Sequence, residues 1–101
     1  MIVTIAQRFR VMGEPSRLRI LQELLSGARS VGALVDILAM SQSNTSRHLQ
    51  ALFDAGLVAR QREGSEVIYR IGSPVVGRLC ALMCTSELKR VEKAWKQMQN
   101  V

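Results

Sequence analysis

A mainly α fold with a small β-hairpin, a winged helix-turn-helix of five helices and a two-stranded wing, is what this sequence predicts, and three observations predict it. Residues 41 to 56, Ser-Gln-Ser-Asn-Thr-Ser-Arg-His-Leu-Gln-Ala-Leu-Phe-Asp-Ala-Gly, open as a polar helix, turn apolar and stop at glycine. A shorter helical pattern ends just ahead of it, with only Ala39 and Met40 before the next cap at Ser41. Two segments rich in strand formers follow. Helices joined by so tight a turn make a helix-turn-helix, and a hairpin directly behind one makes a wing.

Each element has its own signals. Helix 1 covers about residues 2 to 12, because Ile2, Ile5, Phe9 and Met12 recur at helical spacing. Gly13-Glu14-Pro15 breaks it, and Pro15 suits the first position of helix 2. Helix 2 is expected to run to about Ser26, burying Leu18, Leu21, Leu24 and Leu25, with Gly27 closing it. Ser30 caps helix 3, whose Val31, Leu34, Val35 and Leu38 are read as buried. Helix 4 spans residues 42 to 55, capped by Ser41 and ended by Gly56, with Thr45, Leu49 and Leu52 on one face. The strands are residues 57 to 62 and 67 to 71, joined by Glu63-Gly64-Ser65-Glu66. Ser73-Pro74 repeats the cap-then-proline opening for a last helix to Gln99.

Composition narrows what such a chain does. At 101 residues, read as one unit from 1 to 101, it has neither an internal repeat nor a low-complexity tract. A formal charge of +6, from 14 Lys and Arg against 8 Asp and Glu, suits a polyanionic partner, and nucleic acid leads the candidates. No apolar run approaches the roughly 20 residues that cross a bilayer, and the N-terminal residues lack the order of a secretion signal. A cytoplasmic protein without a membrane partner is expected. Two cysteines in that setting do not make a structural disulfide. No nucleophile with a base at a recognisable spacing, no glycine-rich phosphate loop and no paired acid cluster is present, so an enzyme is not expected.

The exposed face of helix 4 carries the chemistry of base and phosphate recognition. Gln42 and Asn44 have amides that can bond adenine bidentately, and Arg47 can fork onto guanine or clamp phosphate. Ser43 and Ser46 are short hydroxyl donors suited to close backbone approach, and Arg60, Arg62 and Arg70 lie on the wing strands. An ordinary amphipathic surface helix has the same polarity pattern. Arg17, at the start of helix 2, is a phosphate contact or an ion-pair partner of Glu14 or Asp54. Helix 5 carries Val75, Val76, Leu79, Leu82, Met83, Leu88, Val91, Trp95 and Met98, more apolar surface than one small face requires. Surplus of this kind is buried in a partner, so a symmetric dimer through helices 1 and 5 is expected, with Ile2, Ile5, Phe9, Leu79, Met83 and Trp95 at its interface.

Met12-Gly13-Glu14-Pro15-Ser16-Arg17-Leu18-Arg19-Ile20-Leu21, the run from Ser41 to Leu49, Ala55-Gly56-Leu57-Val58 and the strand bearing Tyr69 together resemble the ArsR/SmtB family of winged-helix repressors, over about residues 5 to 72. The resemblance implies a homodimer on a palindromic operator in double-stranded DNA, released by an inducer, with helix 4 in the major groove and the wing over the flanking minor groove. The wing departs from the family pattern. Ser65 follows Gly64, and Glu63 and Glu66 flank them, so the tip faces phosphate with two carboxylates that repel each other if paired.

The family's helix 3 thiolate ligands fall at positions held here by Ser30 and Gly32, and helix 5 has no histidine for the family's other metal site. A zinc or cobalt site of either kind is therefore not expected. His48 is read as packing or bonding locally. Cys80 and Cys84 are the candidate sensor, one helical turn apart in helix 5 with Cβ atoms about 5 to 6 Å apart. A disulfide needs about 3.8 Å, so the pair does not close within an intact helix. At a dimer axis the thiols can bind a thiophilic metal or metalloid such as arsenite, or respond to an oxidant or a persulfide, oxidising between subunits; they can also be small apolar packing residues. An inducible repressor, a constitutive DNA-binding regulator or architectural protein without a sensor, and a winged-helix module for protein contacts are the competing readings. The arginine-bearing face of helix 4 argues against the third.

Overall fold

The computed structural model describes residues 1–99. Within them the chain forms α1 (Ile2–Met12), α2 (Pro15–Leu24), β1 (Arg29–Ser30), α3 (Val31–Leu38), α4 (Gln42–Asp54), β2 (Val58–Glu63), β3 (Glu66–Ile71) and α5 (Pro74–Gln99). The wing is larger than expected. Arg29 and Ser30 pair antiparallel with Tyr69 and Ile68, giving a three-stranded sheet in the order β1-β3-β2. Two residues are too few to show a strand period in sequence, and only the fold brings them to the free edge of β3.

Helix ends follow the capping chemistry. Glu14 caps α2, its carboxylate accepting from the Arg17 amide at 2.9 Å, with Pro15 in the first turn. That helix stops at Leu24, short of the expected Ser26, because the chain tightens there: the amides of Ser26 and Gly27 bond back three residues, to Glu23 and Leu24, and Gly27 has φ +141°. Ser30 caps α3 through the Ala33 amide at 3.0 Å. At the end of α4 the Gly56 amide bonds Phe53 at 2.9 Å and the Leu57 amide bonds Leu52 at 3.0 Å. With Gly56 at φ +74° this is a Schellman motif, and it ends α4 at Asp54, one residue before the expected boundary.

One core joins these elements. Ile20 and Leu21 of α2, Leu34 of α3 and Leu49 and Leu52 of α4 are wholly buried, with Leu24, Leu38, Leu57, Val58, Tyr69, Val76 and Cys80 around them. Leu18, expected inside, is 46% exposed, and Ile20 takes the inward place on α2. The inner stripe of α2 runs through Ile20, Leu21 and Leu24, so Leu18 is turned toward the groove between α1 and α5. Val31, Val35 and Leu25 are half-buried. Only the first turns of α5 reach the core, through Val76 and Cys80. Leu82, Met83, Leu88, Val91, Trp95 and Met98 remain exposed, as do Ile2, Val3, Ile5 and Phe9 of α1.

Gly56→Ala should destabilise the protein by about 1 to 2 kcal/mol, since a Cβ is disfavoured in the left-handed region. The added Cβ would also sit 3.3 Å from the Arg8 guanidinium. Urea unfolding of the two proteins checks this; an unchanged midpoint would show that the turn relaxes without strain.

Candidate nucleic-acid interface

The geometry of α4 begins with its cap. Ser41 Oγ accepts from the Asn44 amide at 3.1 Å, and Thr45 Oγ1 donates to the Ser41 carbonyl at 2.9 Å, so the first turn is closed by its own hydroxyls. Thr45, Leu49 and Leu52 are wholly buried, which leaves Gln42, Ser43, Asn44, Ser46 and Arg47 exposed on the opposite side. The N-terminal positive pole of the helix lies among these polar side chains, an arrangement that favours an approaching anion. Arg47 Nη2 reaches Asn44 Oδ1 at 3.3 Å, beyond the ordinary range for such a bond. Both side chains therefore keep donors for another partner.

His48 is buried in α4 and ties it to α2. Its Nδ1 accepts from Arg17 Nε at 3.2 Å, which requires the neutral tautomer with the proton on Nε2. Glu14 Oε2 lies 3.7 Å from the same nitrogen. The Arg17 amide, together with that of Ser16, holds the Glu14 carboxyl below the usual carboxylate range. Arg17 is thus engaged with His48 through its side chain, and Glu14 meets its amide; among the described residues no salt bridge joins Arg17 to Glu14 or to Asp54.

The hairpin register separates the wing arginines. Arg60 lies opposite Tyr69 and Arg62 opposite Val67, so these two share a sheet face, while Arg70, opposite Ala59, belongs to the other. Arg60 is engaged on the surface: its guanidinium stacks 3.8 Å over the Phe53 ring, and Nη1 donates to Gln50 Oε1 at 2.9 Å and reaches Tyr69 Oη at 3.4 Å. Gln50 in turn donates to Asp54 at 2.8 Å. This cluster locks α4 to the wing, a role that sequence reasoning missed because it depends on the register set by the turn at Gly64-Ser65. Arg62 is exposed, and its side chain has no hydrogen bond or ion pair among the described residues. At the tip Glu63 and Glu66 are direct cross-strand partners, with Gly64 at φ +62°.

The two cysteines lie elsewhere. Cys80 is buried, Cys84 half-buried, and both line a cavity of about 420 Å³ between α1, α2 and α5 of their own chain. Burial, and then the neighbouring Cys84, push the Cys80 thiol up. Among the described residues no group of three or more His, Cys, Asp or Glu side chains is placed to hold a metal ion, and no helix is long and apolar enough to cross a membrane.

Comparison with known proteins agrees with this geometry. Residues 14–60 match the bacterial regulatory protein, arsR family. The chain is 38% identical over 79 residues to a probable mercury resistance operon repressor of Streptomyces lividans, an alignment covering 78% of this chain and 63% of that protein. It is 38% identical over 78 residues to an HTH-type transcriptional regulator of Mycobacterium tuberculosis, covering 76% and 68%. Among solved structures, the homodimeric winged helix-turn-helix DNA-binding domain of a possible ArsR-family regulator of Mycobacterium bovis superposes with a TM-score of 0.79 at 35% identity, covering 85% of this chain and 80% of that one.

The Glu14 carboxyl supplies a pH test. Its folded value lies below the ordinary 4.5, so its contribution to stability is complete above that value and is lost as pH falls through the lowered one. The stability gap between wild type and Glu14→Gln should stay constant at neutral pH and close in acid. A gap independent of pH would remove the carboxylate cap from the account.

Proposed function

The chain belongs to the arsR family of bacterial regulatory proteins, and from that membership we propose that it is a dimeric, operator-specific transcriptional repressor whose DNA contacts come from the exposed face of α4. The observation that carries this reading is the division of α4. Its inner face is fully buried and its cap satisfied, so Gln42, Asn44 and Arg47 are held outward on a fixed helix, with Ser43 and Ser46 beside them for the backbone. Arg62 supplies a further phosphate contact from the wing, and Arg60 acts by holding the wing against α4. Residues 1–101 act as one DNA-binding and dimerisation unit.

The apolar residues that the single chain leaves exposed on α1 and α5, Ile2, Ile5, Phe9, Met83 and Trp95, with half-buried Leu79, form the dimer surface. A two-fold dimer presents two α4 helices to successive major grooves, which sets half-sites about one helical turn apart. The inducer acts at Cys80 and Cys84 as a thiophilic ion. Support comes from the shared cavity of the two thiols and from the relative described as a mercury resistance operon repressor. Such an ion displaces the Cys80 proton, which burial holds in place, so release should strengthen as pH rises.

Footprinting of the DNA upstream of the gene should show an imperfect palindrome protected by wild type. Arg47→Ala should weaken that complex by about 1 to 3 kcal/mol while sedimenting as the same dimer. Undiminished binding would place the reading face elsewhere on α4. The double variant Cys80→Ser, Cys84→Ser should stay on the operator at mercury(II) concentrations that release wild type. Equal release of both proteins would leave the cysteines as packing residues.

A further inference from the structure

The cavity between α1, α2 and α5 has a second chemical character that the thiols do not use. Its walls are apolar, built from Phe9, Met12, Leu18, Leu79 and Met83, and its lining also includes Arg19 and Glu87. Glu87 is already matched: Arg90 grips its carboxylate with two N–H groups, at 2.6 and 3.1 Å. Arg19 has no carboxylate partner among the described residues. Its guanidinium donates from Nη2 to the carbonyl of Leu38, at 3.3 Å. That bond is long, and a charge-assisted bond to an anion would replace it readily.

The place where Arg19 bonds matters. Leu38 is the last residue of α3, and its carbonyl is one of those a helix end leaves without an intrahelical acceptor role. The next residue, Ala39, is left-handed at φ 52° and ψ 41°, a conformation that its Cβ disfavours. Ala39 and Met40 are the turn into Ser41, the cap of α4. Arg19 therefore fastens the start of the turn that sets the entry of the recognition helix, from a position within reach of the cavity.

We propose that this cavity binds a small apolar carboxylate, whose head group draws Arg19 from the Leu38 carbonyl and so loosens the α3–α4 turn. Charge complementarity selects the class. Apolar walls accept a hydrocarbon body, and one guanidinium without a carboxylate accepts one anionic head. The site needs no thiolate, so it stands apart from the action of a thiophilic ion on Cys80 and Cys84. Phe9, Leu79 and Met83 also belong to the proposed dimer surface, which makes a second copy of the chain the competing occupant.

The test uses 1-naphthoate and its neutral counterpart 1-naphthalenemethanol, titrated into the full chain and read by thermal midpoint and by amide NMR signals. Wild type should bind the acid about ten-fold more tightly than the alcohol, the difference expected of one bond to a charged group. The Ala39 and Met40 signals should move with the acid only. Arg19→Met should bind acid and alcohol alike, at the wild-type affinity for the alcohol, which also reports that the variant is folded. Cys80→Ser, Cys84→Ser should keep the preference for the acid. Equal binding of the two probes by wild type, binding of neither, loss of the preference in the serine variant, or Ala39 and Met40 signals that stay still would each overturn the proposal. None of these readouts involves DNA, so a failure to find an operator leaves them unaffected.

Discussion

Burial of one face of α4 is the constraint on which the rest of the structure depends. Thr45, Leu49 and Leu52 meet α2, α3 and β2 with no solvent left between them, and each leucine so buried contributes about 1.5 to 3 kcal/mol. A helix held this way cannot rotate about its axis without exposing a leucine. The directions of Gln42, Asn44 and Arg47 are therefore consequences of packing on the other side of the same helix. Ser41 and Gly56 fix where that helix begins and ends, so its position is set by its caps and its rotation by the residues of its buried face.

Much of this was legible in the chain because it is written in local terms. Ser41, Pro15 and Gly56 act within four or five residues of themselves, and the Thr45, Leu49, Leu52 spacing is a helical period. What the chain conceals is non-local. β1 exists only because Arg29 and Ser30 meet Tyr69 and Ile68, nearly forty residues later in sequence. Leu18 and Ile20 both look apolar and helical, and which one points inward depends on how α2 sits against α4 and α5. The same holds for the thiols: one face of α5 carries both, and only the position of α2 decides that this face lines a cavity within the chain. Arg60 looked like a free cation on a strand until the hairpin register placed Tyr69 opposite and α4 brought Phe53 beneath it.

The charge distribution follows the same division. Glu14 is needed as a cap, and so places a carboxylate at the N-terminus of α2, where it repels an anion from outside. The N-terminus of α4 is capped by a neutral serine, which leaves its positive end available. At the wing, opposed Glu63 and Glu66 concentrate negative charge at the tip, while Arg62 lies further back on β2. The chain thus carries attraction along α4 and the strand and repulsion at the extremity. That distribution favours contact along the flank of the sheet over insertion of its end.

The bridge of Gln50, Phe53, Arg60 and Tyr69 has a mechanical consequence. It ties the strand to the helix through a stacked ring and one hydrogen bond, from Arg60 to Gln50, with a longer contact from Arg60 to Tyr69 inside the wing, so the wing does not swing as an independent arm. Helix and wing behave as a rigid gauge of fixed span, and a target whose two features lie at another spacing cannot be met by bending the gauge. Any adjustment must come from moving one whole gauge relative to the other in the proposed dimer.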